Sequence, residues 1–181
     1  MQTDSNKLNS ALHDFFVTCL KEIYWSEINL RTTLMTMTEE ATTGELKQAF
    51  SKHADETEMH SKVVENVFAL LGLPAEQEPS VGLQGLFDEG WQVIDETEKG
   101  SAQRDVALII AAQKVEHYEI ATYGSLVSLG KTLGHGEIVD LLSKVLDEEK
   151  VTDQLLTKIA ESGINAEASE EQAELQNEVI A

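Results

Sequence analysis

The stretch AQRDVALIIAAQKVEHYEIATYGSLVSLG, residues 102–130, decides the fold and points to the chemistry. Apolar residues recur along it every three or four positions, which is the period of one face of an α-helix. The positions in phase are Leu108, Ala112, Val115, Tyr123 and Leu126. Glu116 and Glu119 fall in the same sector, so the predicted helix carries two carboxylates on the face that should be buried.

The same period runs through the rest of the chain and predicts an all-α protein. Long helices are expected over about 8–40, 42–71, 102–130 and 137–162, with a shorter one over about 83–99. The second helix should begin with a capping box, Thr42-x-x-Glu45, in which the hydroxyl and the carboxylate satisfy free backbone N–H groups. It should stop at the helix-breaking sequence Gly72-Leu73-Pro74.

Short turns join the first two long helices and the last two, so each pair is expected to form an antiparallel hairpin. The stretch of about 30 residues between the hairpins is long enough to cross the bundle from end to end. This connectivity is that of a ferritin-like four-helix bundle, with a long crossover that carries the short helix. We assign 1–165 to the bundle. The segment 166–181 has five glutamates and no basic residue, and it is predicted to be a disordered acidic tail.

The charge balance excludes several classes of partner. Lys and Arg total 13 against 33 Asp and Glu, a formal net charge of −20, which disfavours binding to nucleic acid or to an anionic membrane surface.

The single cysteine, Cys19, excludes an internal disulfide framework and a cysteine zinc cluster. No stretch approaches the roughly 20 apolar residues of a membrane span. The expected location is the cytoplasm.

Polar side chains interrupt the apolar sector near the middle of every long helix. They are Glu27 on the first helix, His53, Glu56 and His60 on the second, Glu116 and Glu119 on the third, and Glu149 and Asp153 on the fourth. A buried carboxylate without a partner costs several kcal/mol, against a total stability of about 5–15 kcal/mol. Lysine is missing from these sectors, and Arg31 is the one base nearby. We therefore predict two divalent ions, which would leave about −2 on the six acids.

The predicted ligands are Glu27, Glu56, His60, Glu116, Glu119, Glu149 and Asp153. Glu56 and Glu149 are expected to bridge the two ions. Side chains four residues apart share a helix face, so His60 can join Glu56 at one ion and Asp153 can join Glu149 at the other. Such oxygen ligands with an imidazole favour iron(II) or manganese(II), with iron preferred, and are compatible with zinc.

The ligand positions repeat along the chain. Glu27 corresponds to Glu119 and Glu56 to Glu149, at shifts of 92 and 93 residues. One hairpin therefore looks like a diverged copy of the other, and a pseudo-twofold axis would bring the two copies together at the centre. In each copy the glutamate of the first helix, Glu27 or Glu119, is expected to complete one ion's ligands.

Four residues near these ligands have two open interpretations. Glu116 is either a further ligand or a hydrogen-bond partner of one. His53 is either a residue that orients a ligand or an ordinary core histidine. Tyr24 and Tyr123 lie in phase with the acids, where each can relay an electron or a proton or can hydrogen-bond a ligand carboxylate.

Three stretches resemble a known family: Ile23-Tyr24-Trp25-x-Glu27, Glu56-Thr57-x-x-His60 and Lys114-Val115-Glu116-His117-Tyr118-Glu119-Ile120. They are similar to the YciE/YciF ferritin-like stress-protein family, over about residues 10–160. The resemblance implies a bacterial cytoplasmic stress protein with a ferritin-like bundle, a di-metal centre and a homodimer. Better-known di-iron bundles carry Glu-x-x-His on two helices. Here the spacing is four residues and Asp153 replaces the second histidine, which predicts a more acidic site.

These observations predict a di-metal carboxylate protein that reacts with dioxygen or hydrogen peroxide, as a ferroxidase or a peroxide scavenger. No catalytic residue separate from the metal ligands is expected. The alternative is a non-catalytic bundle, stabilised by metal, whose surface binds a stress-related partner. Consumption of an oxidant distinguishes the two, because a structural site would hold metal without turnover.

Overall fold

Five α-helices make up most of residues 10–171, the part of the chain that the computed structural model describes. Their bounds are α1 Ala11–Glu40, α2 Gly44–Leu71, α3 Val81–Glu96, α4 Ala102–Leu133 and α5 Gly136–Ile159. Between residues 10 and 171 there is no β-strand, and the predicted all-α class is confirmed. None of the helices in this range has an apolar segment long enough, and poor enough in charge, to cross a bilayer.

The four long helices pair as the sequence predicts. α1 packs along α2 and α4 packs along α5, which gives the two antiparallel hairpins. α1 also contacts α4, and α2 contacts α5, so the four helices enclose one interior. The crossover helix α3 lies against α4 and touches α1. The bundle with a long crossover carrying a short extra helix is therefore confirmed.

The interior consists of two apolar halves with a polar layer between them. The half nearer the α4–α5 turn includes Phe16, Leu20, Val64, Phe68 and Leu142. The half nearer the α1–α2 turn includes Leu30, Leu34, Phe50, Leu108 and, from α3, Phe87. Along α1 the first half ends at Tyr24 and the second begins at Leu30. The layer between the halves therefore lies at the level of Glu27.

The start of α2 is capped from another helix, so the predicted capping box is wrong. The N-cap residue is Thr43, and its side chain makes no capping hydrogen bond. Instead the buried Asp105 carboxylate of α4 accepts hydrogen bonds from the backbone N–H groups of Thr42, at 2.6 Å, and Thr43, at 2.8 Å. A carboxylate at a helix N-terminus binds free N–H groups more strongly than a neutral hydroxyl does. The Thr42 hydroxyl donates to the Ser101 carbonyl instead.

The turn between α4 and α5 depends on two glycines with different roles. Gly134 ends α4 in the left-handed conformation, with φ of +85°, and its N–H donates to the Lys131 carbonyl. Gly130, where the sequence predicts the end of this helix, stays helical. A Cβ atom at Gly130 would lie 3.0 Å from a methyl of Val139, so this glycine permits close packing of α5 rather than stopping α4.

At the C-terminal end of the described range the structure differs from the sequence prediction. The predicted helix start at residue 8 lies outside the described residues, and Ser10 caps α1 by accepting from the His13 N–H. After α5 the turn Ala160–Ile164 contains a kink at Gly163, where the backbone is not helical, and the chain is helical again up to residue 171. The described part of the predicted tail, 166–171, is helical, and the Glu171 carboxylate accepts hydrogen bonds from the backbone N–H groups of Ala102 and Gln103 at the start of α4. Residues 172–181 lie outside the described range.

Candidate metal centre

The polar layer is built by side chains from all four long helices. Each of its six members is 2 % exposed or less: Glu27 from α1, His53 and His60 from α2, Glu116 and Glu119 from α4, and Glu149 from α5. They point inward because each occupies the core-facing phase of its helix, between apolar residues one turn before and after. The layer therefore joins both hairpins at the middle of the bundle.

Ligand atoms of these residues converge in two groups. In each group the donor atoms lie within 4.8 Å of one another. The four-residue group consists of His53, Glu116, Glu119 and Glu149, and the three-residue group consists of Glu27, His60 and Glu149. Glu149 belongs to both groups. Its Oε1 lies 2.8 Å from His60 Nδ1 and its Oε2 lies 4.0 Å from His53 Nε2, so the two carboxylate oxygens face the histidines of different groups.

The two histidines contact the carboxylates without forming hydrogen bonds to them. His53 Nε2 lies 3.0 Å from Glu116 Oε1, and His60 Nδ1 lies 2.8 Å from Glu149 Oε1. No hydrogen bond of correct geometry nonetheless reaches either ring nitrogen of His53, or Nδ1 of His60, from the described residues. Atoms this close but not aligned with each other are typical of ligands that are directed at a common ion.

Unsatisfied polar atoms accumulate in this layer. Both oxygens of Glu119, both of Glu149 and one each of Glu27 and Glu116 are buried with no hydrogen-bond partner among residues 10–171. A buried polar group left unpaired costs about 1–3 kcal/mol, and a charged one more. So many in one place indicate that the layer is built for a group other than a protein side chain.

The donor set fits two divalent metal ions. Four carboxylates carry four negative charges and the two imidazoles bind metal in their neutral form, so two divalent ions bring the buried layer to electrical neutrality. The six acids predicted from the sequence would instead leave a residual negative charge. Oxygen and imidazole donors of this kind suit iron(II), manganese(II) or zinc.

Without metal, three of the four buried carboxylates have raised pKa values. Burial raises the pKa of Glu27 to about 8, with a further contribution from the negative charge of Glu149. Burial also raises the pKa of Glu116 to about 7, although the neighbouring His53 opposes the shift. The pKa of Glu119 lies well above its usual range, first through burial and then through the surrounding glutamates.

The acidic neighbours of the two histidines raise the pKa values of both rings. Burial lowers the pKa of His53, but the charges of Glu116 and Glu149 outweigh it and raise the value to about 9. Burial likewise lowers the pKa of His60, and its contacts with Glu149 and Glu27 raise it to about 10. The pKa of Glu149 is held below its usual range because His60 and His53 outweigh the effect of burial. The metal-free layer therefore replaces metal charge with protons.

Five of the seven predicted ligands meet in the layer, and two lie beside it. The five are Glu27, His60, Glu116, Glu119 and Glu149. Glu56 lies at the edge of the buried face of α2, about 60° from His53 by helical phase. Its side chain is 31 % exposed and pairs with Lys52. In this arrangement Glu149 alone is shared between the groups.

Asp153 lies at the edge of α5 rather than in either group. Its carboxylate accepts a hydrogen bond from the Gln113 side chain at 3.2 Å and lies 3.5 Å from the exposed His117 ring. The Gln113 side chain also donates to the Thr157 hydroxyl, at 2.8 Å. The repeat between the hairpins is therefore broken here, because His60 enters the layer and the corresponding Asp153 does not.

His53 is the residue that the predicted ligand set lacks. Its signal in the sequence is its position seven residues before His60, which places both rings on one face of α2. Of the two tyrosines, Tyr123 donates a hydrogen bond to Glu27 Oε1 and so orients a member of the layer. Tyr24 donates instead to Glu65, at 2.6 Å, outside the layer.

A surface carboxylate orients His60 from outside. Glu148 Oε2 lies 2.8 Å from His60 Nε2, on the ring edge opposite Nδ1. A proton on Nε2 lets this nitrogen donate to Glu148 and leaves Nδ1 free to bind metal. Glu148 and Glu56 both line a surface groove between α2 and α5, and Glu56 Oε2 lies 4.0 Å from His53 Nδ1. The outer nitrogen of each histidine thus faces a carboxylate of this groove.

A four-helix bundle with a long crossover, whose four long helices bring carboxylates and histidines into one buried layer, belongs to the class of ferritin-like carboxylate proteins. A family model described as "Domain of unknown function (DUF892)" matches residues 11–169, and the chain belongs to this family. Protein YciF of Escherichia coli (strain K12) is 38 % identical over 159 residues, which cover 87 % of the chain and 95 % of that protein. The resemblance to the YciE/YciF family is thereby confirmed.

Solved structures agree with this assignment. The crystal structure of the E. coli stress protein YciF matches with a TM-score of 0.82 at 38 % identity, over 86 % of this chain and 98 % of that one. YcfI of Rhodopseudomonas palustris matches with a TM-score of 0.79 at 32 % identity, over 82 % and 94 %. A protein of Xanthomonas campestris pv. campestris, at 22 % identity and a TM-score of 0.68 over 89 % and 99 %, shares the fold.

The raised pKa values predict how pH acts on the metal-free protein. Between about pH 5 and pH 9 the folded state binds more protons than the unfolded state, through Glu27, Glu119 and both histidines. The free energy of unfolding should therefore fall as pH rises through this window. Glu119→Gln removes one group that must stay protonated, so this variant should be more stable than wild type at pH 8, with an advantage that shrinks toward pH 5. Urea unfolding of chelator-treated protein measures both trends.

The matched control for that measurement is Asp140→Asn, which removes one exposed charge from α5. It reports how much of the effect comes from the overall net charge. Equal pH profiles for Glu119→Gln and Asp140→Asn would show that Glu119 is solvated, contrary to its position in the layer.

The contact between Glu148 and His60 predicts a second effect. Glu148→Ala should weaken metal binding about 10- to 100-fold, the usual loss when the partner of a ligand histidine is removed. Competition with a chromophoric chelator measures the affinity. Asp147→Ala removes the neighbouring exposed acid, which pairs with Lys150, and should leave the affinity unchanged. The same affinity in both variants would mean that Glu148 does not orient His60.

Proposed function

We propose that this chain is a di-metal carboxylate protein that reacts with dioxygen or hydrogen peroxide, as a ferroxidase or a peroxide scavenger. The observation that carries the proposal is the sharing of Glu149 between two buried ligand groups. Two ions per chain follow from the two groups, with iron favoured and manganese or zinc compatible. Two iron ions bound there would supply the electrons that reduce the oxidant.

The protein's own residues hold and insulate such a pair. Glu149 belongs to both ligand groups and so joins them through its carboxylate. The Tyr123 hydroxyl holds Glu27 in place by donating a hydrogen bond. Glu148 fixes the ring of His60. The apolar halves above and below the layer exclude water from it. Because the dielectric constant inside the bundle is low, a change in charge at the centre has a large Coulomb energy with these fixed ligands.

The structure has residues that hold the protons of the metal-free centre and a groove through which those protons can reach solvent. In the metal-free state they reside on Glu27, Glu119 and the two imidazoles. Metal binding must release them, because the ions need the same lone pairs. The groove that Glu56 and Glu148 line is the polar surface next to the histidines, and it offers these protons a path to solvent.

The second candidate is a non-catalytic bundle that metal stabilises and whose surface binds a stress-related partner. The position of the layer favours it, since ions there would hold all four long helices together at their middle. A role in stress is common to both candidates, because it rests on the similarity to the E. coli stress protein. A cytoplasmic location and a homodimer complete the proposal and rest on the same resemblance.

Metal analysis tests the ligand assignment. Protein purified without chelator should contain close to two ions per chain, and Glu149→Ala should lose both because each group loses a ligand. Glu56→Ala should keep both ions if the groups seen in the structure are the ligands. Loss of both ions in Glu56→Ala as well as in Glu149→Ala would instead support the two bridges predicted from the sequence. Element-specific emission spectroscopy gives the counts.

Oxidant consumption separates the two candidate functions. Iron(II) added to metal-free protein under air, or under argon with hydrogen peroxide, should become ferric faster than iron(II) in buffer. Ferric absorbance and an oxygen electrode follow the reaction. The Glu149→Ala variant should react at the rate of free iron. Wild-type protein that binds iron(II) yet consumes neither oxidant would establish the structural alternative.

A further inference from the structure

A small apolar cavity lies beneath the crossover helix, on the face of the bundle between α1 and α4. Leu30 and Leu34 of α1, Phe87 and Gly90 of α3, and Ala112 of α4 line it. The space in which the centre of a water-sized molecule can lie there is about 10 Å³. The hydroxyl of Thr33, which also borders it, already donates to the Asn29 carbonyl. Apart from its inner end, the cavity therefore offers water no free hydrogen-bonding side chain, whereas a buried water usually needs two or more polar partners.

One polar side chain borders the cavity at its inner end. Glu116 is 1 % exposed, and its Oε2 has no hydrogen-bond partner among the described residues. Its other oxygen lies 3.0 Å from His53 in the four-residue group. The cavity therefore ends at the proposed metal centre. It reaches the centre from the face opposite the polar groove, which lies between α2 and α5.

We propose that this cavity is a binding site and entry path for dioxygen, and thus that dioxygen is the oxidant for which the site is built. The inference rests on the proposed function and narrows its choice of oxidant. A narrow apolar cavity favours a small uncharged molecule that needs no hydrogen bonds. Metal ions and hydrogen peroxide are polar, and the groove beside Glu56 and Glu148 suits them instead. The two faces of the bundle thus admit different molecules to one centre.

The glycines of α3 offer a matched pair of variants. A Cβ atom at either Gly90 or Gly85 would meet no atom within 4 Å, so both positions have room for a side chain. Gly90 lines the cavity, and Gly85 does not. Glycine is also unfavourable inside a helix. Gly90→Leu should therefore fold and obstruct the cavity, while Gly85→Leu makes the same change one and a half turns away.

Dioxygen binding can be measured without any metal. Dissolved dioxygen is paramagnetic and speeds the relaxation of nearby methyl groups, so methyl NMR of metal-free protein under air and under argon locates it. We expect enhanced relaxation at the methyls of Leu34 and Val115, both of which border the cavity. The enhancement should be lost in Gly90→Leu and retained in Gly85→Leu. No enhancement in wild type, or equal enhancement in the two variants, would overturn the inference.

Rates of iron oxidation with each oxidant distinguish this inference from the proposed function. With iron bound, Gly90→Leu should slow oxidation by dioxygen relative to Gly85→Leu but leave oxidation by hydrogen peroxide unchanged. Equal slowing with both oxidants would contradict a dioxygen path. If wild-type protein consumes no oxidant, the proposed redox function fails, and the NMR measurement still decides whether the cavity binds dioxygen.

Discussion

The constraint on which this structure depends is the burial of four carboxylates in one layer that contains no lysine or arginine. The arginines nearest the layer are committed elsewhere: Arg31 pairs with Glu58 on the surface, and the buried Arg104 pairs with Glu40 at the end of α1. Positive charge must therefore come from protons or from metal ions. Because four helices supply the acids, whatever neutralises them also determines how firmly the two hairpins are held together.

The layer also explains why the apolar core is divided. Phe16 and its neighbours form one cluster and Leu34 and its neighbours another, and each is continuous across both hairpins. Each half buries apolar side chains from all four long helices, and this burial favours folding. The two halves therefore oppose the electrostatic cost of the layer in the metal-free state.

Helical phase was sufficient to predict the bundle and most of the layer from sequence. Glu27, Glu116 and Glu149 occupy positions where apolar residues belong, and that conflict is visible without coordinates. The position of a residue at the edge of a helix face is harder to predict. Glu56 and His53 differ by only about 60° in helical phase, yet Glu56 pairs with Lys52 and His53 lies in the layer. Phase alone gives no rule for which of them turns inward.

Tertiary partners account for the other differences. The Thr42-x-x-Glu45 pattern has the correct residues for a capping box, yet Asp105, about 60 residues further along the chain, binds those N–H groups first. The choice of Gln113 as the partner of Asp153 depends in the same way on a neighbouring helix. Local patterns compete with contacts that form only once the hairpins meet, and sequence spacing does not reveal the outcome.

The cap formed by Glu171 has a consequence for how the chain comes apart. Glu171 binds the first N–H groups of α4, and three residues later Asp105 of the same helix binds the turn between α1 and α2. The segment after α5, helix α4 and the N-terminal hairpin are thus joined by carboxylate caps at one end of the bundle. Loss of residue 171 would leave the first N–H groups of α4 without their carboxylate partner, one turn away from the carboxylate that caps α2.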